Sequence, residues 1–167
     1  MSMNEQSGMS LRPWKYADAM TRTRSILLIS GPNLNLLGER EPEVYGTDSL
    51  ATIVEDAVQA GRDLGMTVVH EQTNSSSAIV DLIHSARSVH DAIIINPGAF
   101  THYAWSIHDA LAAFDGPIIE VHISNPNARE PWRHTSVVAP VATGSIVGLG
   151  MLGYELAIAA VARRLAS

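Results

Sequence analysis

Two stretches constrain the fold more than anything else in the chain: Ser25 to Ser30 (Ser-Ile-Leu-Leu-Ile-Ser) and Asp91 to Asn96 (Asp-Ala-Ile-Ile-Ile-Asn) are apolar through their interiors. A strand with one wet face alternates apolar with polar residues, so uninterrupted runs of this length suit strands buried on both faces, as in a parallel sheet between helices. Each run leads through a polar loop into a helical pattern. After the first, Asp48 or Ser49 can cap a helix whose apolar positions Leu50, Ile53, Val54, Ala57, Val58, Gly61 and Leu64 repeat at i, i+3, i+4 and i+7, with Gly65 to end it. Met66 to Glu71 reads as a second strand, and the cluster Thr73 to Ser77 caps a helix through Ile79, Val80, Leu82, Ile83 and Ala86. After the Asp91–Asn96 strand, a polar loop from Asn96 to His102 precedes a helix ending near Phe114.

Gly116-Pro117 starts a fourth strand, Ile118 to Ile123, and a fifth apolar run, Val137 to Val141, precedes a last helix from about Ser145 to Leu165. Strand and helix thus alternate about five times without a repeat or a linker. That order predicts right-handed βαβ units and an α/β, three-layer, flavodoxin-like fold with a five-stranded parallel sheet. Residues 1–24 lack a sustained apolar period and are expected to be an N-terminal extension, partly disordered, ahead of a single domain over 25–167.

Composition removes several function classes. With 46% hydrophobic and 17% charged residues the chain is globular, and a formal net charge of −6 with only 11 Lys and Arg argues against a general nucleic-acid surface. Lys15, in the N-terminal segment, is the sole lysine, so Schiff-base chemistry lacks a residue in the folded part. The absence of cysteine excludes thiolate nucleophiles and Cys-ligated metal sites. Seven histidines include no H-x-x-x-H pair, and a bound metal is not expected. No apolar stretch of ~18 residues and no signal peptide is visible, which leaves no membrane partner and a cytoplasmic location as the expectation.

In open α/β sheets ligands bind beyond the carboxyl ends of the strands, and the polar clusters all fall there. The segment from Ser30 to Gly46 is too long and polar for a simple connector and has the composition of an active-site rim or lid. Within it Arg40 and Tyr45 stand five apart. A phenol ionises near ~10 in water, and an adjacent cation lowers that value, making tyrosinate a feasible general base. On the fourth strand Glu120, His122 and Ser124 share one face, and are expected at the mouth of the site, where the carboxylate can orient the imidazole and favour its charged, acid form. Arg129 and Arg133 follow and could bind a carboxylate. Gly148-Leu149-Gly150-Met151-Leu152-Gly153 has the G-x-G-x-x-G spelling but is expected inside the last helix, with no βαβ unit after it, so close helix packing is the reading preferred over a dinucleotide.

Five blocks in order carry a resemblance: Gly-Pro-Asn-Leu-Asn-Leu-Leu-Gly-x-Arg-Glu-Pro-x-x-Tyr-Gly at 31–46, Asn-Pro-Gly-Ala-Phe-Thr-His at 96–102, Glu-Val-His-Ile-Ser-Asn at 120–125, Ala-Arg-Glu at 128–130 and Ala-Thr-Gly-Ser-Ile-Val-Gly-Leu-Gly at 142–150. On these the chain resembles type II 3-dehydroquinate dehydratases over Ile26 to about Ala162. The resemblance implies a cofactor-free lyase acting on 3-dehydroquinate, in aromatic biosynthesis or quinate degradation, and a homo-oligomer, a dodecamer of four trimers. It implies Tyr45 as the base at C2, Arg40 as the lid cation that lowers its pKa, and Asn33 as the holder of a water at the enolate. It further implies His122 as the acid at the C1 hydroxyl with Glu120 orienting it, and Asn96, His102, Ile123, Ser124 and Arg133 as substrate-binding residues. Asp109 matches a residue that reaches a neighbouring subunit's site. Ser76 and His108 depart from the family's usual Glu and Arg.

A non-catalytic module binding a small anion or a partner protein is the rival from another class, since the fold alone permits it. An FMN-binding protein would need a loop after the first strand richer in phosphate donors than Gly31-Pro32-Asn33.

Overall fold

The computed structural model describes residues 22–39, 43 and 48–166. Five strands, β1 (Arg24–Ser30), β2 (Met66–Gln72), β3 (Ala92–Asn96), β4 (Ile118–His122) and β5 (Gly144–Val147), form one sheet in the order β2-β1-β3-β4-β5. All four pairings are parallel. Four helices accompany them: α1 (Leu50–Asp63), α2 (Ser76–Ala86), α3 (Trp105–Ala112) and α4 (Leu152–Ala166). This is the flavodoxin-like arrangement expected from the alternation of apolar runs.

The two faces of the sheet explain why the runs are continuous. Ile26, Leu28, Ile94 and Val121 pack with Ile53 and Ala57 of α1 and Ala157, Ile158 and Val161 of α4. Their neighbours Leu27, Ile29, Ile93 and Ile95 pack on the opposite face with Ile79 and Ile83 of α2 and Ile107 and Leu111 of α3. Every interior position of β1 and β3 therefore meets a helix layer. Burying each of these aliphatic side chains contributes on the order of 1.5–3 kcal/mol before entropy is counted. The helices start where local chemistry allows: Ser49 and Ser75 cap α1 and α2 by accepting from Thr52 N and Ala78 N. Gly65, at φ 72°, turns the chain after α1 into β2.

The carboxyl-terminal third corrects the expected order in two places. The fifth strand is Gly144–Val147 rather than the apolar run Val137–Val141. Val137 and Val138 are buried against the α2/α3 face, but Pro140 falls in a short 3-10 turn over Ala139–Val141, and a proline cannot donate to a ladder. The true β5 is an edge strand with a mostly exposed pattern, so it lacks the apolar signature. The last helix accordingly begins at Leu152, and Gly148 and Gly150 lie in the β5–α4 turn at φ 77° and 60° rather than inside the helix. Gly153 lies in the helix, buried against β4 and β5, but an added Cβ would make only ordinary contact with Val121 Cγ1 at 3.4 Å, so the packing there does not require glycine. No described helix is long and apolar enough to cross a membrane.

Candidate active site

Strand order reverses at β1 and β3, so the loops that leave their carboxyl ends diverge and open a crevice. Two Gly-Pro pairs interlock across it. The N–H of Gly31 donates to the carbonyl of Asn96 at 2.8 Å, and a Cβ on Gly31 would stand 2.7 Å from the carbonyl carbon of Pro97. Gly98, at φ 54°, packs in turn against Pro32, whose Cδ would be 3.2 Å from its Cβ. Only glycine permits this close approach of the two backbones.

The crevice is an open cleft lined by three segments of the chain. The loop after β1 contributes Asn33, Leu34, Leu36 and Leu37, and the end of β3 and its loop contribute Asn96, Gly98, Ala99 and His102. His122, Ile123, Ser124, Arg129 and Arg133 complete the lining from β4 and the segment after it. Seven residues expected at the site, Asn33, Asn96, His102, His122, Ile123, Ser124 and Arg133, therefore share one cleft. Arg40 and Tyr45 lie outside the described residues. Asp109 is exposed on α3 and does not line this chain's own cleft.

Beneath the cleft is a buried carboxylate. Glu120 is 1% exposed, and so lies under the floor rather than at the mouth where its strand position suggested. His122 Nε2 lies 2.8 Å from its Oε1. The Thr101 hydroxyl donates to the same oxygen, the Ser136 hydroxyl is 3.1 Å from both carboxylate oxygens, and Ser145 Oγ is 3.4 Å from Oε2. Burial by itself would push this carboxyl up. The hydrogen bonds from His122, Thr101 and Ser136, with the attraction of the imidazole, outweigh burial and hold it below its ordinary value of 4.5. An ionised Glu120 can only accept, so the His122 nitrogen that faces it carries a proton.

The other face of the sheet holds Asn96. It ends β3 pointing toward the α1/α4 layer, where its amide nitrogen donates to the Tyr154 hydroxyl at 2.8 Å, and its amide oxygen accepts from Gly98 N at 3.2 Å. Tyr154 is 2% exposed, and burial pushes its phenol up to about 12, so it stays neutral. Asn33 adopts a left-handed backbone, φ 65°, and its N–H donates to Asn74 Oδ1 at 2.9 Å. Asparagine is among the few residues that tolerate that conformation.

On the rim, His102 Nδ1 donates to the carbonyl of Thr135 at 2.7 Å, and its ring sits edge-on to Trp132 with centroids 5.2 Å apart. Burial lowers the His102 pKa, aided by His122 and Arg133 and opposed by that backbone hydrogen bond. Its other ring nitrogen is then available as an acceptor in the neutral form. Arg133 lies over the Trp132 ring, 4.0 Å from its centroid, while its Nε donates to Glu130 at 2.7 Å. Arg129 Nη1 reaches Ser124 Oγ at 3.5 Å, and its Nε is 3.7 Å from the same Glu130. Two guanidinium groups thus border the cleft beside an imidazole, an arrangement suited to an anionic small molecule.

Sequence reasoning missed Thr101, Ser136 and Tyr154. A tyrosine spaced with Ala157, Ile158 and Val161 on the buried stripe of α4 was a usable signal, because a buried phenol needs a partner. Ser136 carried none. Among the described residues no group of three His, Asp or Glu could hold a metal.

Known proteins match most of the chain. The family model described as dehydroquinase class II matches residues 24–162. A 3-dehydroquinate dehydratase of Bacillus licheniformis is 50% identical over 133 residues, covering 80% of this chain and 92% of that protein. One from Anoxybacillus flavithermus is 52% identical over 134 residues, covering 80% of this chain and 90% of that protein. The crystal structure of type II dehydroquinase from Propionibacterium acnes superposes with a TM-score of 0.81 at 45% identity, over 84% of this chain and 97% of that one.

Proposed function

The chain belongs to the dehydroquinase class II family, and from that premise we propose that it is a 3-dehydroquinate dehydratase, a hydro-lyase that reversibly converts 3-dehydroquinate to 3-dehydroshikimate and water. The observation that carries this reading is the protonated His122 nitrogen held by a buried, ionised Glu120 at the floor of a cleft bordered by Asn96, His102 and Arg133. A module that only bound an anion would have no use for a desolvated acid pair, whose burial is costly.

In the proposed reaction Tyr45, ionised with help from Arg40, takes the proton from C2 beside the ketone. The electron pair passes to the ketone oxygen as an enolate, with a water held by Asn33 stabilising the charge. Collapse of the enolate expels the C1 hydroxyl, which takes a proton from Nδ1 of the His122 imidazolium, while the Nε2 proton stays hydrogen-bonded to Glu120, and departs as water. Asn96, His102, Ile123, Ser124 and Arg133 bind the hydroxyls and carboxylate of the substrate, and Asp109 reaches the cleft of a neighbouring subunit. No step needs a metal, a cofactor or a lysine. Residues 25–167 form the catalytic domain behind the extension 1–24, and the protein works in the cytoplasm as a high-order homo-oligomer, a dodecamer of four trimers, in aromatic biosynthesis or quinate degradation.

Appearance of the conjugated enone in the ultraviolet on adding 3-dehydroquinate tests the activity directly. Tyr45→Phe keeps the ring but removes the acceptor, and should cut kcat by a factor on the order of 10² or more with KM largely kept. Arg40→Gln should cut kcat and shift the remaining rate to higher pH. Wild-type turnover in Tyr45→Phe would transfer the base role to another group. Light scattering tests the assembly, and a fully active monomer at micromolar concentration would overturn it.

A further inference from the structure

The hydrogen atoms around Glu120 can be assigned from donor counting. Ser136 Oγ accepts from Val138 N at 3.1 Å and from Ala139 N at 2.8 Å, which occupies both of its lone pairs. Its own proton must therefore point outward, toward Glu120 or toward Thr101 Oγ1 at 2.8 Å. Thr101 in turn donates to Glu120 Oε1, the oxygen that also receives His122 Nε2. The two hydroxyls thus form a relay that ends on the carboxylate, with the Ser136 proton reaching it directly or through Thr101 Oγ1.

The same two residues lock together the segments that carry the rest of the cleft. Val137 N donates to the carbonyl of Thr101 at 2.7 Å, and the residue after Thr101, His102, bonds the carbonyl of Thr135 just before Ser136. A shift of either segment would move a hydroxyl away from Glu120 as it moved His102 or Arg133.

We propose that Thr101 and Ser136 are positioning residues for proton donation by His122, acting through Glu120: their hydroxyls fix the carboxylate against Nε2 and so aim the imidazole into the cleft. This inference rests on His122 being the acid of the proposed dehydration. Neither hydroxyl lines the cleft, so neither touches substrate. Their removal acts on the placement of a proton donor, where a misplacement of about 1 Å costs up to ~10²-fold in rate.

The test pairs Thr101→Val and Ser136→Ala, singly and together, with Thr101→Ser, which keeps the hydroxyl on a smaller side chain. Steady-state assay with 3-dehydroquinate should show kcat reduced about tenfold in each single variant, further in the double variant, with KM within about twofold of wild type. Thr101→Ser should restore most of kcat. A crystal structure of the double variant, without substrate, should find His122 Nε2 out of hydrogen-bonding reach of Glu120 or its ring in more than one orientation. Active wild-type protein whose variants lose only thermal stability, with kcat intact, would overturn the positioning role. So would an unmoved His122–Glu120 pair in the double variant. If wild-type protein failed to turn over 3-dehydroquinate, the dehydratase reading would fall, while the crystal structure would still decide whether the hydroxyls place the ring.

Discussion

At the amino ends of β1 and β3, Asp91 accepts from Ser25 N at 2.8 Å and pairs with Arg22 and Arg24 at 2.6 and 3.2 Å. At the carboxyl end of the sheet, on the neighbouring strand β4, Glu120 accepts from a serine, a threonine and a histidine. Both are carboxylates that tie separate segments together, but their surroundings differ. The Asp91 side chain is only 8% exposed, but its arginine partners are 59% and 46% exposed, whereas the side chains of His122 and Glu120 are 12% and 2% exposed. Ion pairs to exposed guanidinium groups contribute little because water competes for the cations, so the arginines add little and the amino end serves mainly to align β1 with the start of β3. A desolvated carboxylate depends on every donor around it, and removing one partner strands the others. The same chemical group is a fastener where its partners are wet and a catalytic support where its partners are dry.

Removing Glu120 should therefore have the largest effect. Glu120→Ala leaves Thr101, Ser136 and His122 facing a void, and should lower kcat by a factor on the order of 10² to 10³ and stability by ~2–4 kcal/mol. Steady-state kinetics and urea denaturation read the two losses. Stability unchanged within about 0.5 kcal/mol would erase the distinction between the two ends of the sheet.

Tyr154→Phe comes next, with the Asn96 amide left short of an acceptor in the core. We expect ~1–3 kcal/mol of destabilisation, and KM for 3-dehydroquinate raised more than kcat is lowered. A change confined to kcat would show that Asn96 does more than bind.

Acid titration sharpens the comparison further. The folded-state pKa of Glu120 lies below its ordinary value of 4.5, so the stability that its ionised form contributes is present above that value and is lost as pH falls through the folded one. Wild-type protein should lose stability more steeply below about pH 4.5 than Glu120→Gln, which has no such proton to gain. Parallel urea midpoints for the two proteins across that range would show that Glu120 does not report on folding.

The smallest effects belong to the amino end. Asp91→Asn should cost about 1 kcal/mol, chiefly through the Ser25 backbone contact, and Arg22→Ala less than about 0.5 kcal/mol, shrinking further in high salt. An effect of Arg22→Ala that persisted at high salt would mean that this pair is less wet than its exposure indicates.

Much of this was legible in the chain itself. The β1 and β3 runs announced strands buried twice over, because a parallel sheet between two helix layers asks for apolar side chains on both faces. Alternation of period, capping serines and Gly65 placed α1 and α2, and the polar clusters beyond the strand ends located the cleft. The pairing of Glu120 with His122 followed from their spacing on one strand face. What failed was β5. Its four residues sit at a sheet edge, where burial imposes no pattern, while the more apolar Val137 and Val138 are buried without joining the sheet.

Tertiary structure alone decided how the carboxylate is supported. Thr101 and Ser136 lie 35 positions apart in sequence, and Asn96 and Tyr154 lie 58 apart. No local periodicity relates such residues, since hydroxyl and amide partners meet only once two loops and a helix have docked on opposite faces of the sheet. Sequence determined which residues could do the chemistry, because side-chain type and strand alternation are local properties. Folding decided which of them are dry, because desolvation is a property of everything that packs around a group.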